Sequence, residues 1–156
     1  MATGVAPIKV RRLQHVVLQV SDVERSVKFY GDVLGLRLTR TRPNGAAFLH
    51  LAFRQLPDGG NDHDLALFPG ATAPAQQGVA GLIHVAWEVD TVEELARARE
   101  VLQEYGALDG ETNHGMSLSV YGRDPDGLQF EVFWTTNEPV GENVPLEIEK
   151  ELARRR

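Results

Sequence analysis

The chain holds five histidines, at His15, His50, His63, His84 and His114, and no cysteine. Disulfides, iron–sulfur clusters and a cysteine nucleophile are therefore excluded. A bound metal ion would have to be held by imidazole nitrogen and by oxygen. Two of the histidines are related by an internal repeat. Residues 13–20, Leu-Gln-His-Val-Val-Leu-Gln-Val, match residues 82–89, Leu-Ile-His-Val-Ala-Trp-Glu-Val, at an offset of 69 residues, the self-similarity of a duplicated unit. His15 and His84 fall at the same place in the two copies, and two equivalent imidazoles facing one cavity can share one metal ion. The alternative is a packing histidine preserved twice.

A carboxylate on a neighbouring strand would complete a two-histidine, one-carboxylate set, which leaves positions open on Fe(II). Glu131 meets that need. The alternation in residues 128–134 puts Gln129, Glu131 and Phe133 on one face, and a carboxylate among such apolar neighbours needs a charged partner. A metal would be one such partner; an arginine such as Arg123 or Arg37 would be another. His50 lies in the apolar run 48–53 with no partner suggested by the repeat, and is assigned no role.

The elements that must position these residues also come in pairs. Each histidine sits in a stretch alternating like a half-buried strand. Each strand is followed by a helix start, Ser21-Asp22-Val23-Glu24 in one copy and Thr91-Val92-Glu93-Glu94 in the other, read as capping boxes. Apolar residues then recur at helical spacing through Val23, Val27, Tyr30 and Leu34, and through Leu95, Ala98, Val101 or Leu102, and Tyr105. Gly35 and Gly106 are suited to end the two helices. Further strands are expected at 36–41, 48–53 and 64–68 in the first half, and at 107–111, 117–123 and 129–134 in the second, divided by Pro-, Asn-, Asp- and Gly-rich turns. Each half is thus β-α-β-β-β, with modules over about 10–70 and 79–136 and an Ala/Gly/Pro-rich linker at 69–81. The predicted class is α+β: two such modules paired into one cupped, barrel-like mixed sheet with outer helices. A short amphipathic tail helix is expected at about 144–154.

With 156 residues the chain has the size of one domain. Its formal net charge of −6 offers no basic footprint for phosphates or anionic lipid, so neither nucleic acid nor membrane is an expected partner. No window approaches the roughly 20 apolar residues of a membrane span, and residues 1–15 lack the apolar run of a signal peptide. The composition fits a cytoplasmic protein.

On these residues the chain resembles the vicinal oxygen chelate superfamily, over about residues 10–136. Within it, the chain resembles the type I extradiol catechol dioxygenases. The specific likeness lies in Thr112 to Glu131: a histidine (His114), an apolar-Tyr pair ending at Tyr121, an Asp-Pro-Asp-Gly turn at 124–127, and Glu131. The resemblance implies that His15, His84 and Glu131 ligate Fe(II), with Mn(II) accepted by the same donors. It also gives a role to His63, because Asp62-His63-Asp64-Leu65-Ala66 resembles the family segment in which a catalytic histidine precedes a Leu-Ala strand. The bland alternative for His63 is a polar turn.

The mechanism implied holds a catechol and O2 on one metal, with His63 on the oxygen side and His114 and Tyr121 exchanging protons on the substrate side. The substrates are then a catecholic small molecule and O2. The well-known extradiol enzymes carry two such domains where this chain has length for one, which bears on substrate size and on the pocket wall. A homo-oligomer is expected from the tail and the exposed sheet edges.

Two rivals use the same modules. A metal-dependent isomerase or lyase of the glyoxalase type typically adds a further protein carboxylate to the metal, for which Asp64 or Glu88 are candidates out of place. A non-enzymatic, antibiotic-sequestering protein would use an aromatic-lined cup without metal. Trp87, Met116, Phe130, Phe133 and Trp134 are the candidate pocket aromatics and thioether, their facing set by strand register.

Overall fold

The alternation that begins before Val16 folds as an edge strand, and each later element follows in the predicted order. In the computed structural model, which describes residues 6–52 and 62–154, the first module comprises β1 (Val16–Val20), α1 (Val23–Leu34), β2 (Leu36–Thr41), β3 (Ala47–Leu51) and β4 (Leu65–Pro69). The second comprises β5 (His84–Glu88), α2 (Val92–Glu104), β6 (Leu108–Asn113), β7 (Ser117–Arg123) and β8 (Gln129–Thr135), followed by α3 (Ile148–Arg154). The end of the strand expected at 48–53 and the turn expected at 57–61 fall at least partly outside the described residues.

Each module builds a four-stranded mixed sheet of the same order, β1-β4-β3-β2 and β5-β8-β7-β6. β1 runs parallel to β4 and β5 parallel to β8; the other neighbours are antiparallel. The α+β class and the paired modules are as expected, but the cup is not closed: the two sheets are separately hydrogen-bonded and do not join into a barrel. β1 and β5 are therefore each the edge of their own sheet.

The halves meet through a shared core instead. Phe29 and Tyr30 on α1 stack edge-on or tilted against Phe130 of β8, with ring centroids 6.0 and 6.2 Å apart, and Tyr105 closes on Phe29 at 5.9 Å. Leu18, Leu49, Leu65 and Leu67 from one sheet and Leu118, Val120 and Val132 from the other join one buried cluster with Leu95 and Leu102 of α2. Gly122 lies where a Cβ would stand 2.6 Å from Phe130 and 2.8 Å from Leu102, so α2 packs tightly on β7.

Polar contacts fix the same junction. The Asp124–Gly127 turn of the second module sits on the start of α1: Ser21 donates to Asp126 through its backbone N–H and its hydroxyl, Arg25 pairs with Asp126 at 3.0 Å, and the Tyr30 hydroxyl donates to Asp124 at 3.1 Å. This changes the first cap. Ser21 is recruited by Asp126, and Asp22 caps α1 by accepting from the Arg25 N–H. The second cap follows expectation at Thr91, which accepts from Glu94 N–H while Glu94 reaches back to the Asp90 N–H. Gly35 ends α1 at φ 67°, and Gly106 follows α2 at φ 63°, both in the left-handed region. Among the described residues no helix is long and apolar enough to cross a membrane.

Candidate functional site

With the apolar faces turned inward, strand alternation presents the chemistry-bearing residues on the opposite face of each sheet. In the second sheet Phe130 and Val132 are buried in the core, which places Gln129, Glu131 and Phe133 on the other face. β7 sets Tyr121 directly across from Glu131, and β5 sets Ala86 beside it, next to His84 at the strand start.

The result is a chain of four groups. Glu131 is shared between two neighbours: one carboxylate oxygen lies 3.1 Å from His84 Nε2 and the other 3.3 Å from the Tyr121 hydroxyl. Tyr121 lies 2.9 Å from His114 Nε2, and its ring stands edge-on to His84 at 5.8 Å. Burial first, and the Glu131 charge second, raise the Tyr121 hydroxyl above the usual tyrosine range, so the phenol keeps its proton at neutral pH. Arg123, offered by spacing as a partner for Glu131, instead binds Asp109 bidentately at 2.8 and 2.9 Å, and Arg37 lies on β2 in the other sheet. What faces Glu131 is an imidazole, a nitrogen donor of the kind a divalent ion accepts, and a protonated phenol.

The second group of residues lies on the first sheet. His15, immediately before β1, stacks on His63 with ring centroids 4.5 Å apart. The His63 Nδ1–H donates to Asp62 at 2.6 Å, and Asp62 is held in turn by Arg40 at 2.6 and 3.0 Å. The Arg40 hydrogen bond, followed by that from His63, holds the Asp62 carboxyl below the usual carboxylate range. His63 also packs against Phe48 at 4.9 Å, beside a small apolar cluster of Ala46, Phe48 and Ala66 with Phe68.

The structure thus brings His84, Glu131, Tyr121 and His114 together, and His15 and His63 together, but keeps the two sets apart. Among the described residues no three of the histidine, aspartate and glutamate side chains are grouped to hold a metal ion. His15 precedes β1 and His84 begins β5, and among the described residues these are the outer strands of two separately hydrogen-bonded sheets. Asp64 is buried and accepts from the Leu51 N–H at 2.9 Å, and Glu88 accepts from Thr135; neither joins the cluster. His50 sits opposite Arg37 in the β2–β3 ladder. Of the candidate pocket residues, Phe133 shares the Glu131 face, whereas Phe130 is in the core.

Two hydrogen-bond partners of the candidate histidines escaped the sequence reading. Asp62 had a signal, an acidic residue adjacent to a catalytic candidate. Asn143, whose Oδ1 lies 2.8 Å from His114 Nδ1, had none, since it reaches His114 from the irregular tail.

Residues 12–132 match the family model of the Glyoxalase/Bleomycin resistance protein/Dioxygenase superfamily, and the chain belongs to that family. Its relatives include enzymes of different chemistry. A lactoylglutathione lyase of Haemophilus influenzae is 33% identical over 125 residues, covering 77% of this chain and 90% of the lyase. A biphenyl-2,3-diol 1,2-dioxygenase of Rhodococcus globerulus is 31% identical over 134 residues, covering 81% of this chain and 66% of the dioxygenase. Among solved structures, a mutant of the fosfomycin resistance protein FosX from Listeria monocytogenes, complexed with Mn(II) and a dihydroxypropylphosphonic acid, superposes with a TM-score of 0.64 at 19% identity, covering 83% of this chain and 94% of that one. This last likeness is one of fold.

Proposed function

We propose that the protein is an Fe(II)-dependent extradiol dioxygenase that opens a catecholic ring with O2, working as a pair of chains. The observation that carries the reading is the continuous contact His114–Tyr121–Glu131–His84 on one sheet face. A metal-bound diol needs an acid–base pair beside one ligand carboxylate, and the chain supplies one. The register adds support against the lyase reading. Glu131 stands beside Ala86 in the second sheet, and the equivalent place beside Val17 in the first sheet is Ala66, so no additional carboxylate faces the metal from there.

His84 and Glu131 would hold the ion as two donors from one chain. The third, His15, comes from a second copy. Both histidines lie at sheet edges that no other strand pairs among the described residues, and apolar residues next to them are exposed, Val17 at 54%, Leu82 at 61% and Ile83 at 78%. Setting β1 of one copy against β5 of another covers those residues, pairs both edges and carries His15 with His63 to His84 and Glu131. Two-fold symmetry makes two such sites. Iron so held would lower the pKa of the bound diol and bring both reactants to one centre.

The protein's own groups manage protons. Tyr121 has one hydroxyl proton and two acceptors. With His114 neutral, the proton points to Nε2 at the shorter distance; when His114 takes up a proton, Nε2–H donates to the phenol oxygen and the hydroxyl swings to Glu131. A proton removed from the substrate is thereby stored on His114 without charging Tyr121. On the other side His63, its Nδ1–H committed to Asp62, offers Nε2 as the base.

The test is anaerobic loading with Fe(II), then exposure to O2 with catechol, methylcatechols and dihydroxybiphenyl. Oxygen uptake with a yellow ring-opened product is expected. Silence with iron bound, together with turnover of the methylglyoxal–glutathione adduct, would assign the protein to the lyases instead.

A further inference from the structure

The tail after β8 is not a loose end. It crosses the β6–β7 hairpin as a strap, and it is held at several points. Asn113 and Val144 exchange both backbone hydrogen bonds, at 2.8 and 3.0 Å. The Gly141 N–H donates to the His114 carbonyl at 3.1 Å, and the Thr136 hydroxyl donates to the Gly115 carbonyl at 2.6 Å. Beyond the strap Ile148 is buried in the main core, so the segment is anchored at both ends. The strap also runs close over Gly115. A Cβ there would stand 2.6 Å from both Gly141 N and the Pro139 carbonyl, on a backbone at φ 79°, so no other residue fits without moving the strap.

The strap carries Asn143 to the far side of the His114 ring. Asn143 Oδ1 lies 2.8 Å from His114 Nδ1, and a carbonyl oxygen only accepts, so the bond requires the proton on Nδ1. Nε2 of the neutral ring is then bare, and it is Nε2 that lies 2.9 Å from the Tyr121 hydroxyl. We propose that Asn143 is a positioning residue: the C-terminal strap holds it so that His114 presents an unprotonated Nε2 to Tyr121, making the tail part of the proton-handling site. Without Asn143 the ring is free to adopt the other tautomer. Nε2–H would then donate to Tyr121, and His114 would no longer be poised as a proton acceptor. The inference rests on the dioxygenase reading for what the poised nitrogen does to substrate, and on geometry alone for the tautomer.

The two parts separate by experiment. Long-range 1H–15N spectra of the metal-free protein report which nitrogen of His114 carries the proton. In the unaltered protein a protonated Nδ1 is expected. Asn143→Ala should move the ring toward the Nε2–H form, Asn143→Asp should restore the Nδ1–H form, and Gly115→Ala, which displaces the strap with Asn143 intact, should act like Asn143→Ala. In the iron-loaded protein Asn143→Ala should lower kcat by about 10–100-fold, the usual effect of removing a residue that orients a functional histidine, with KM and iron content unchanged and with recovery in Asn143→Asp. An Nε2–H ring in the unaltered protein, or an unchanged tautomer in Asn143→Ala, overturns the proposal. If the tautomer responds while no catechol is turned over, the dioxygenase reading fails and the positioning role stands.

Discussion

Glu131 and Ala66 occupy the same register position in the two sheets, Glu131 beside Ala86 of β5 and Ala66 beside Val17 of β1. The duplicated unit therefore offers a carboxylate on one face and a methyl group on the other. Glu131→Ala removes the oxygen donor while leaving His84 in place, and metal retained after desalting should fall at least about tenfold. Full metal content in this variant, measured by elemental analysis, would refute the ligand role.

Ala66 supplies the converse experiment. It is fully buried and lies across from Phe48 in the small apolar cluster, so Ala66→Glu places an unpaired carboxylate there at a cost of a few kcal/mol. Thermal unfolding should show a lowered Tm without metal. If the Ala66 face meets the ion across a pair of chains, added Mn(II) should recover more Tm in the variant than in the parent protein. Equal metal responses would mean that this face does not reach the ion.

The duplication, the order of the elements and the face shared by Gln129, Glu131 and Phe133 were legible from periodicity, because the apolar pattern reports which side of an element is buried. It does not report against what. Phe130 is a candidate lining residue of the cup from the sequence, whereas in the fold it packs with Phe29 and Tyr30 in the helix-side core. Ser21 shows the same limit locally: its sequence neighbours suit a capping box, and only the fold brings Asp126, 105 residues away, to take its hydroxyl. Asn143 was invisible for a third reason, since an irregular strap has no period.

A site shared between copies makes a mixing experiment decisive. His15→Ala and Glu131→Ala chains should each be inactive alone. In a mixed pair, one site combines His84 and Glu131 of the first with His15 of the second, and is intact. With random reassortment half the pairs are mixed and each has one working site of two, so activity should return to about a quarter of the parent level. No recovery, with reassortment verified by mass spectrometry, would place the whole site within one chain.

Asp62 orients His63 through the Nδ1–H and is itself fixed by Arg40. Asp62→Asn keeps the size but replaces the charged acceptor, and turnover should drop about 10–100-fold with iron binding retained. If kcat is unchanged, His63 does not depend on Asp62 and its catalytic role loses its support.

Tyr30 gives the pH prediction that needs neither metal nor substrate. It is buried where the two modules meet and donates to Asp124. Burial first, and the Asp124 charge second, push its hydroxyl well above the usual tyrosine range. The unfolded chain ionises this phenol near its ordinary pKa of about 10, whereas the folded protein resists. The contribution is therefore fully present below pH about 10 and is lost as pH rises toward the folded value. Denaturant midpoints should be flat with respect to this group at neutral pH and fall in the alkaline range. Tyr30→Phe should start lower, by about 1 kcal/mol for the lost hydrogen bond and the stranded Asp124, and should decline less steeply with pH. Parallel alkaline profiles for the two proteins would show that Tyr30 is not the group that couples the junction of the modules to pH.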